Sequence, residues 1–469
     1  MSEIFVNQPA RPLVSGKERR VNLPRKAFNV LGDRPSGFDP VVLLEAQGVN
    51  RVPELLPLRY SRMADNEFAF LRGAAAIMAF DLALAPNTGL DAQICGDAHL
   101  SNFGVFYSPE RTLVFDVNDF DETLPGPFEW DLKRLVASAA VAFSSMGFSE
   151  KDVMSILTKA MAVYRTAMKE FAQQGNLEVW YARFDVGSNF GSLKGAFRDE
   201  QRAKVDDVVS QARKRTSKSA FKKLIVEIDG ELKFRSDPPL LVPIQELQTE
   251  NPEISERIVR DAFNGFHDSL PADRLQLMDS FMARDIARKV VGVGSVGTRC
   301  FVVLYTGSTK NDPLILQVKE AMPSVLEAHL GPSVYPTAGQ RVVEGQRMMQ
   351  TTPDIFLGHT RLEYSESEFH DFYFRQFRDG KASADLAVLD SPQLATSYTA
   401  ACAWTLARAH ARSGNRMEIA AYLGGGSAAD VALAEWGTAY QERNRADYAT
   451  FTAAIASGRL SVLEDPKKK

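Results

Sequence analysis

The stretch Ile94–Phe106, ICGDAHLSNFGVF, places an acid, a histidine and an asparagine within six residues, between apolar flanks. Asp and Asn so placed are costly to bury unless partners meet them. Working outward, RTLVFDVNDFDE reads as a β-branched strand that ends in acids at Asp116, Asp119 and Asp121. EWDLKRLVASAAVAFSSMG and SEKDVMSILTKAMAVYRTAMKEFAQQG then read as helices, the second with Ser149 as N-cap and Gly175 as stop. Upstream, EFAFLRGAAAIMAFDLAL reads as one buried helix.

Farther along, KLIVEIDGELKFR carries Asp-Gly at a hairpin turn. Two short helices follow, near Ile254–His267 and Arg274–Met282. From Asp285 the texture changes to strand, glycine loop, strand, turn and strand, in DIARKVVGVGSVGTRCFVVLYTGSTKNDPLILQVKEA. A helix, TAGQRVVEGQRMMQ, and two strands joined by a polar turn complete that segment. After Ser391 the pattern is helical. The basic run ARKRTSKSAFKK reads as a solvated face, with a binding patch as the alternative.

The totals narrow the class. A chain of 469 residues exceeds one ordinary core, so at least two subdomains are expected. Charged residues at 24% and hydrophobic ones at 45% fit a globular chain rather than a disordered one. A net charge of −4 argues against a general nucleic-acid coat. The 3 cysteines, Cys95, Cys300 and Cys402, are scattered, so neither a disulfide framework nor a zinc set is expected. The N-terminus lacks a signal-peptide core, and no apolar run is long enough to span a membrane. A cytoplasmic protein without membrane or nucleic-acid partners is the expectation.

Gly292, Gly294 and Gly297 form G-x-G-x-x-G between two strands. Glycines let backbone N–H groups approach phosphates closely. A dinucleotide loop would lead into a helix, whereas TRCFVVLYTG continues as strand. That favours a flap over ATP phosphates; a plain β-turn is the alternative. Lys319 ends the third strand between apolar neighbours and needs an anionic partner. A phosphate and a helix glutamate are the partners in the kinase scheme. Glu344 is the candidate, with Glu320 and Glu327 as competitors. A surface lysine is the plain alternative.

In the same scheme Asp97 is a catalytic acid that orients the acceptor hydroxyl, and Asn102, five residues on, is a Mg²⁺ ligand. A second metal acid comes from Asp116, Asp119 or Asp121. Counting from Asn102 points nearer Asp116, and the likeness of NDFD to Asp-Phe-Gly points to Asp119, which is preferred. His99 reads as structural. Arg72, in FLRG, reads as a core salt bridge, with contact to a phosphate as the alternative.

The segment Cys95-Gly96-Asp97-Ala98-His99-Leu100-Ser101-Asn102, followed by NDFDETLPGPFEWDLKRL, resembles the aminoglycoside phosphotransferase and choline kinase branch of the kinase-like superfamily, with Cys95 where those enzymes carry histidine. The resemblance implies that Asp131 braces the catalytic loop and that the acceptor is a small molecule. Over most of its length the chain is also similar to a bacterial family, the domain of unknown function twenty-two fifty-two; FAFLRGAA, GDAHLSNFG and VGVGSVGTRC carry that similarity.

Kinases run from glycine loop to catalytic loop, and here the order is reversed. Either one half of the match is chance or the domain is circularly permuted. The expected fold is α+β, a two-lobed, circularly permuted kinase-like fold with a small antiparallel β lobe and a larger helical lobe. The expected divisions are an N-terminal extension (1–66), a helical lobe with the catalytic and metal loops (67–284), a β lobe (285–380) and C-terminal helices that rejoin the helical lobe (381–469). The expected activity is ATP- and Mg²⁺-dependent phosphoryl transfer to a hydroxyl. The alternative is a nucleotide-binding regulatory module without transfer.

Overall fold

The computed structural model describes residues 16–188, 199–214, 217–250, 256–290, 292–294, 296–363, 368–377, 380, 382–383 and 386–463. The first residues of the chain, the EDPKKK tail, Val291 and Ser295 of the glycine loop, Arg215 and Thr216 of the basic run and the polar turn at 364–367 lie outside the described residues.

The chain is mixed α+β with antiparallel sheets. Its apolar centre is α5 (Phe128–Ser145), buried from Phe128 to Phe143 on every face. Such a helix has no solvent face, so its polar residues Glu129, Asp131, Lys133, Arg134 and Ser138 need partners inside the protein. α6 (Glu150–Phe171) follows, with Ser149 accepting the Asp152 amide at 3.1 Å as its N-cap. It ends before Gly175, which instead caps a short helix at Asn176–Tyr181. The two long helices at the other end of the chain, α8 (Pro392–Ser413) and α9 (Ala428–Ala456), pack along α6 and α5. Chain segments from both sides of the large sheet thus share one core.

Before Cys95 the described residues form a short helix at Gly16–Asn22 and then α1 (Pro40–Gly48), α2 (Leu56–Met63), α3 (Glu67–Gly73) and α4 (Ala75–Ala83). They are not a loose extension, because Val41, Leu44 and Met63 share a core with Phe451 of α9. The single helix expected over FAFLRGAAAIMAFDLAL is broken at Ala74. Arg134 takes the Leu71 carbonyl at 2.7 Å and Arg59 takes the Gly73 carbonyl at 3.0 Å. Those acceptors are therefore spent outside the helix ladder.

β1 (Asp91–Ile94) pairs with β4 (Leu124–Pro127), and between them β2 (Phe103–Tyr107) pairs with β3 (Leu113–Val117). The large sheet has six antiparallel strands. In spatial order they are β9 (Gly358–Glu363), β10 (Phe369–Gln376), β8 (Pro313–Ala321), β7 (Cys300–Thr306), β6 (Met282–Lys289) and β5 (Leu241–Pro243). The sheet therefore begins at Leu241 and not at 285. The helix Glu256–Asp268 also packs on it, with Phe266 stacked on Phe374 at 4.1 Å. The described residues of 241–284, expected in the helical part, belong beside the sheet because apolar side chains such as Phe266 find their partners there. The Asp-Gly hairpin forms as read, with φ of 50° at Asp229 and 81° at Gly230. α7 (Ala338–Met349) lies against β9 and β10, its Thr337 capping Gln340 N–H at 3.0 Å.

Candidate functional site

Between the sheet and the helices lies a cavity of about 550 Å³. Its lining joins Asp97, Asn102 and Asp119 to Gly292, Gly294 and Lys319. Asp119 and Lys319 are 200 residues apart in sequence and form an ion pair at 3.2 Å.

The loop Cys95–Asn102 is built from the core outward. Gly96 has φ of 78°, and a Cβ there would lie 2.4 Å from the Glu122 carbonyl oxygen, so only glycine fits. The amides of Cys95 and Gly96 each donate to Asp131 at 2.9 Å. Asp131 also lies 3.2 Å from His410 Nε2, and the His410 Nδ1 is 2.9 Å from the Tyr164 hydroxyl. Asp131 thus fixes the turn that presents Asp97. One Asp97 oxygen accepts from Arg134 Nε at 2.7 Å, and the other lies 3.6 Å from His99 Nε2. Burial pulls the His99 imidazolium down to a pKa of about 3, so the ring is neutral at neutral pH.

Asn102 ties two loops together. Its amide nitrogen donates to the carbonyls of Asp97 at 2.9 Å and Asp119 at 3.0 Å, and its amide oxygen accepts the Asp119 N–H at 2.7 Å. That oxygen has capacity for one further partner. Asp119 and Asp121 both pair with Lys319, and the Tyr373 hydroxyl donates to Asp121 at 2.8 Å. Lys319 is 1% exposed while the Asp119 side chain is 39% exposed, so the carboxylate is the open member of the pair. Burial alone would lower the Lys319 pKa. Asp119 and Asp121 outweigh it and hold the ammonium charged. Burial and the neighbouring Asp119 push Asp121 up. Burial likewise pushes Glu122, whose carboxylate accepts the Val325 N–H at 2.7 Å, up to about 7.

Two expected site residues are elsewhere. Asp116 is buried against Arg408 in the helical core and accepts its own neighbour's N–H, from Val117, at 2.9 Å. A carboxylate so occupied and away from the cavity is not a metal ligand. Glu344 pairs with Arg347 at 2.8 Å and does not reach Lys319. The α7 residue that faces the metal loop is Arg341, which donates to the carbonyls of Thr123 at 2.7 Å and Asp121 at 2.8 Å. The competitors are also committed: Glu320 to Arg299 at 3.0 Å and Glu327 to Arg341 at 3.5 Å.

Arg51 and Arg59 were not singled out from the sequence, and Arg72 read as a core salt bridge with phosphate contact as the alternative. All three line the cavity, and among the described residues Arg72 has no ion pair. An arginine inside the apolar run FAFLRGAA was a signal that it faces something polar. The described part of the glycine loop is held by Arg62 on the Gly292 carbonyl at 2.8 Å and by Arg51 on those of Gly294 at 2.9 Å and Val296 at 2.6 Å. Gly297 has φ of 90°.

Among the described residues no group of three or more His, Cys, Asp or Glu side chains could hold a metal ion. Mg²⁺ delivered on phosphates needs only one or two protein carboxylates, and Asp119 with Asp121 meets that need. No helix among the described residues is long and apolar enough to cross a membrane.

The family described as "Uncharacterized protein conserved in bacteria (DUF2252)" matches residues 51–454. The chain belongs to that family. No curated protein and no solved structure matches it.

Proposed function

We propose that the protein is an ATP- and Mg²⁺-dependent phosphotransferase acting on a hydroxyl acceptor, on a two-lobed kinase-like fold whose chain order is permuted. The observation that carries this is the pairing of Lys319 with Asp119 in one cavity that Asp97 and Gly294 also line. Two half-motifs that lie apart in sequence line one cavity.

In this reading the ATP phosphates lie against Gly292, Gly294 and Lys319. The charged Lys319 exchanges part of its pairing with Asp119 and Asp121 for a phosphate oxygen. Asp119 and Asp121 would hold the Mg²⁺, which supplies neutralisation of charge on the phosphates. Asp97, steadied by Arg134, accepts the acceptor's hydroxyl proton as that oxygen bonds to the γ-phosphorus and the bond to ADP breaks. Neutral His99 beside Asp97 adds no competing positive charge.

One observation favours a nucleotide-binding module without transfer: among the described residues α7 offers Lys319 no glutamate. Mass spectrometry of ATP incubated with protein, Mg²⁺ and a metabolite extract separates the two. Formation of ADP and a phosphorylated product supports transfer. Binding without any turnover supports the module.

A further inference from the structure

The transfer chemistry leaves one set of cavity residues unused. Arg51 lies in the turn after α1, Arg59 on α2 and Arg72 on α3, and all three line the cavity. Arg59 is 1% exposed and Arg51 8%. Arg59 donates through Nη2 to the Gly73 carbonyl and to Gln47, while its Nε and Nη1 have no partner. The Nε atoms of Arg51 and Arg72 are also buried without one.

Several other arginines of this protein pair with acids. Arg408 meets Asp116, Arg34 bridges Asp81 and Asp447 at 2.6 Å each, and Arg165 holds Asp430 at 2.9 Å. None of the cavity three has a carboxylate within ion-pair distance among the described residues.

The acids around them are already engaged. Asp97 has Arg134, Asp119 and Asp121 share Lys319, and Glu320 has Arg299 and His370. Glu122 is pushed toward its neutral form. Burial lowers the pKa of each of the three arginines, and for Arg59 the neighbouring Arg51 adds to it. A buried guanidinium with free N–H groups is a fork that fits a carboxylate or phosphate.

The acid that acts most on Arg72 is Asp97, which faces the acceptor in this reading; Asp119, on the metal side, acts less. Arg51, by contrast, spends Nη1 on glycine-loop carbonyls.

We propose that Arg59 and Arg72 form a second anion subsite, and that the acceptor is a hydroxyl compound carrying its own phosphate group, seated there while its hydroxyl faces Asp97. The acceptor role rests on the phosphotransferase reading. The acceptor's charge would then be opposite to the cationic substrates of the aminoglycoside and choline kinases that the catalytic loop resembles.

The test is calorimetry on the full chain saturated with a β,γ-imido ATP analogue and Mg²⁺, titrated with inorganic phosphate and separately with choline. The expected result is saturable phosphate binding alongside the nucleotide and no choline binding. Arg72→Gln should weaken phosphate binding roughly tenfold or more, and Arg72→Lys should restore part of it. Thermal melting with and without phosphate checks folding: phosphate should raise the midpoint of the wild type but not that of Arg72→Gln. Arg59→Gln is the second variant, with the same expected loss. Displacement of the nucleotide by phosphate would assign the arginines to ATP and overturn the proposal. Choline binding, absence of phosphate binding or an unchanged Arg72→Gln would also overturn it. If the ATP analogue itself does not bind, the phosphotransferase reading falls, and phosphate titration of the free protein still decides whether the subsite exists.

Discussion

The two loops that meet in the cavity are held in opposite ways. Residues Cys95–Asn102 are fixed from within: Asp131 takes two of their amides, Asn102 staples them to Asp119, and Arg134 orients Asp97. The described residues of Gly292–Gly297 are held from outside, by Arg51 and Arg62 on their carbonyls and by the Val52 N–H on Gly297 at 2.8 Å. Asp97 is therefore pre-organised by groups that cannot move without unpacking the core. The covering loop depends on a few bonds to a different part of the chain, which can be broken while the core stays intact.

The largest effect should fall on chemistry. Asp97→Asn should cut transfer by about 10²–10⁴-fold and leave ATP affinity nearly unchanged. Asp119→Asn should instead weaken Mg²⁺-dependent ATP binding, because an amide is a poorer ligand for a hard cation. Turnover and calorimetry on both variants check the division; the same defect in both would break it.

Stability should follow the same contrast. Asp131→Ala leaves the Cys95 and Gly96 amides buried without an acceptor and should cost about 3–5 kcal/mol in urea unfolding. The two positive-φ glycines sharpen the comparison. Gly96→Ala drives a Cβ into the Glu122 backbone at 2.4 Å and should cost about 3 kcal/mol or more. Gly297→Ala meets only the Arg51 side chain, at 3.1 Å, and should cost about 1–2 kcal/mol. Equal costs would mean the loops are equally constrained.

The smallest effect is a pH dependence. Glu122 is raised to about 7 in the folded protein, above its unfolded value. Its contribution to stability is therefore complete below about pH 4.5 and lost as pH rises through 7. Glu122→Gln removes that loss, so the variant should gain about 1–2 kcal/mol on the wild type between pH 5 and 8. Denaturant midpoints at the two pH values measure it; a constant difference contradicts it.

What the sequence revealed was local. Asp97, Asn102 and Asp119 sit in adjoining segments whose spacing is itself the signal, and a lysine at the end of a strand near a glycine loop advertises its need for an anion. What stayed hidden depends on partners far along the chain. Asp116 looks like Asp119 until Arg408, 292 residues away, is placed beside it. Glu344 looked like the partner of Lys319, but the rotation of α7 is set by burial of Val342, Val343 and Gln346, which sends Arg341 inward. Arg51 and Arg59 read as ordinary charges because burial is a tertiary property. The strand Leu241–Pro243 is too short to carry a period-two pattern.

The central claim is that two segments joined through Asp119 and Lys319, 200 residues apart, make one nucleotide site. Calorimetric titration of the intact protein with ATP, with and without Mg²⁺, tests it most directly. Saturable binding that requires Mg²⁺ and is weakened by Lys319→Ala is the predicted result. No binding of ATP at millimolar concentration, or binding indifferent to Lys319, would contradict it.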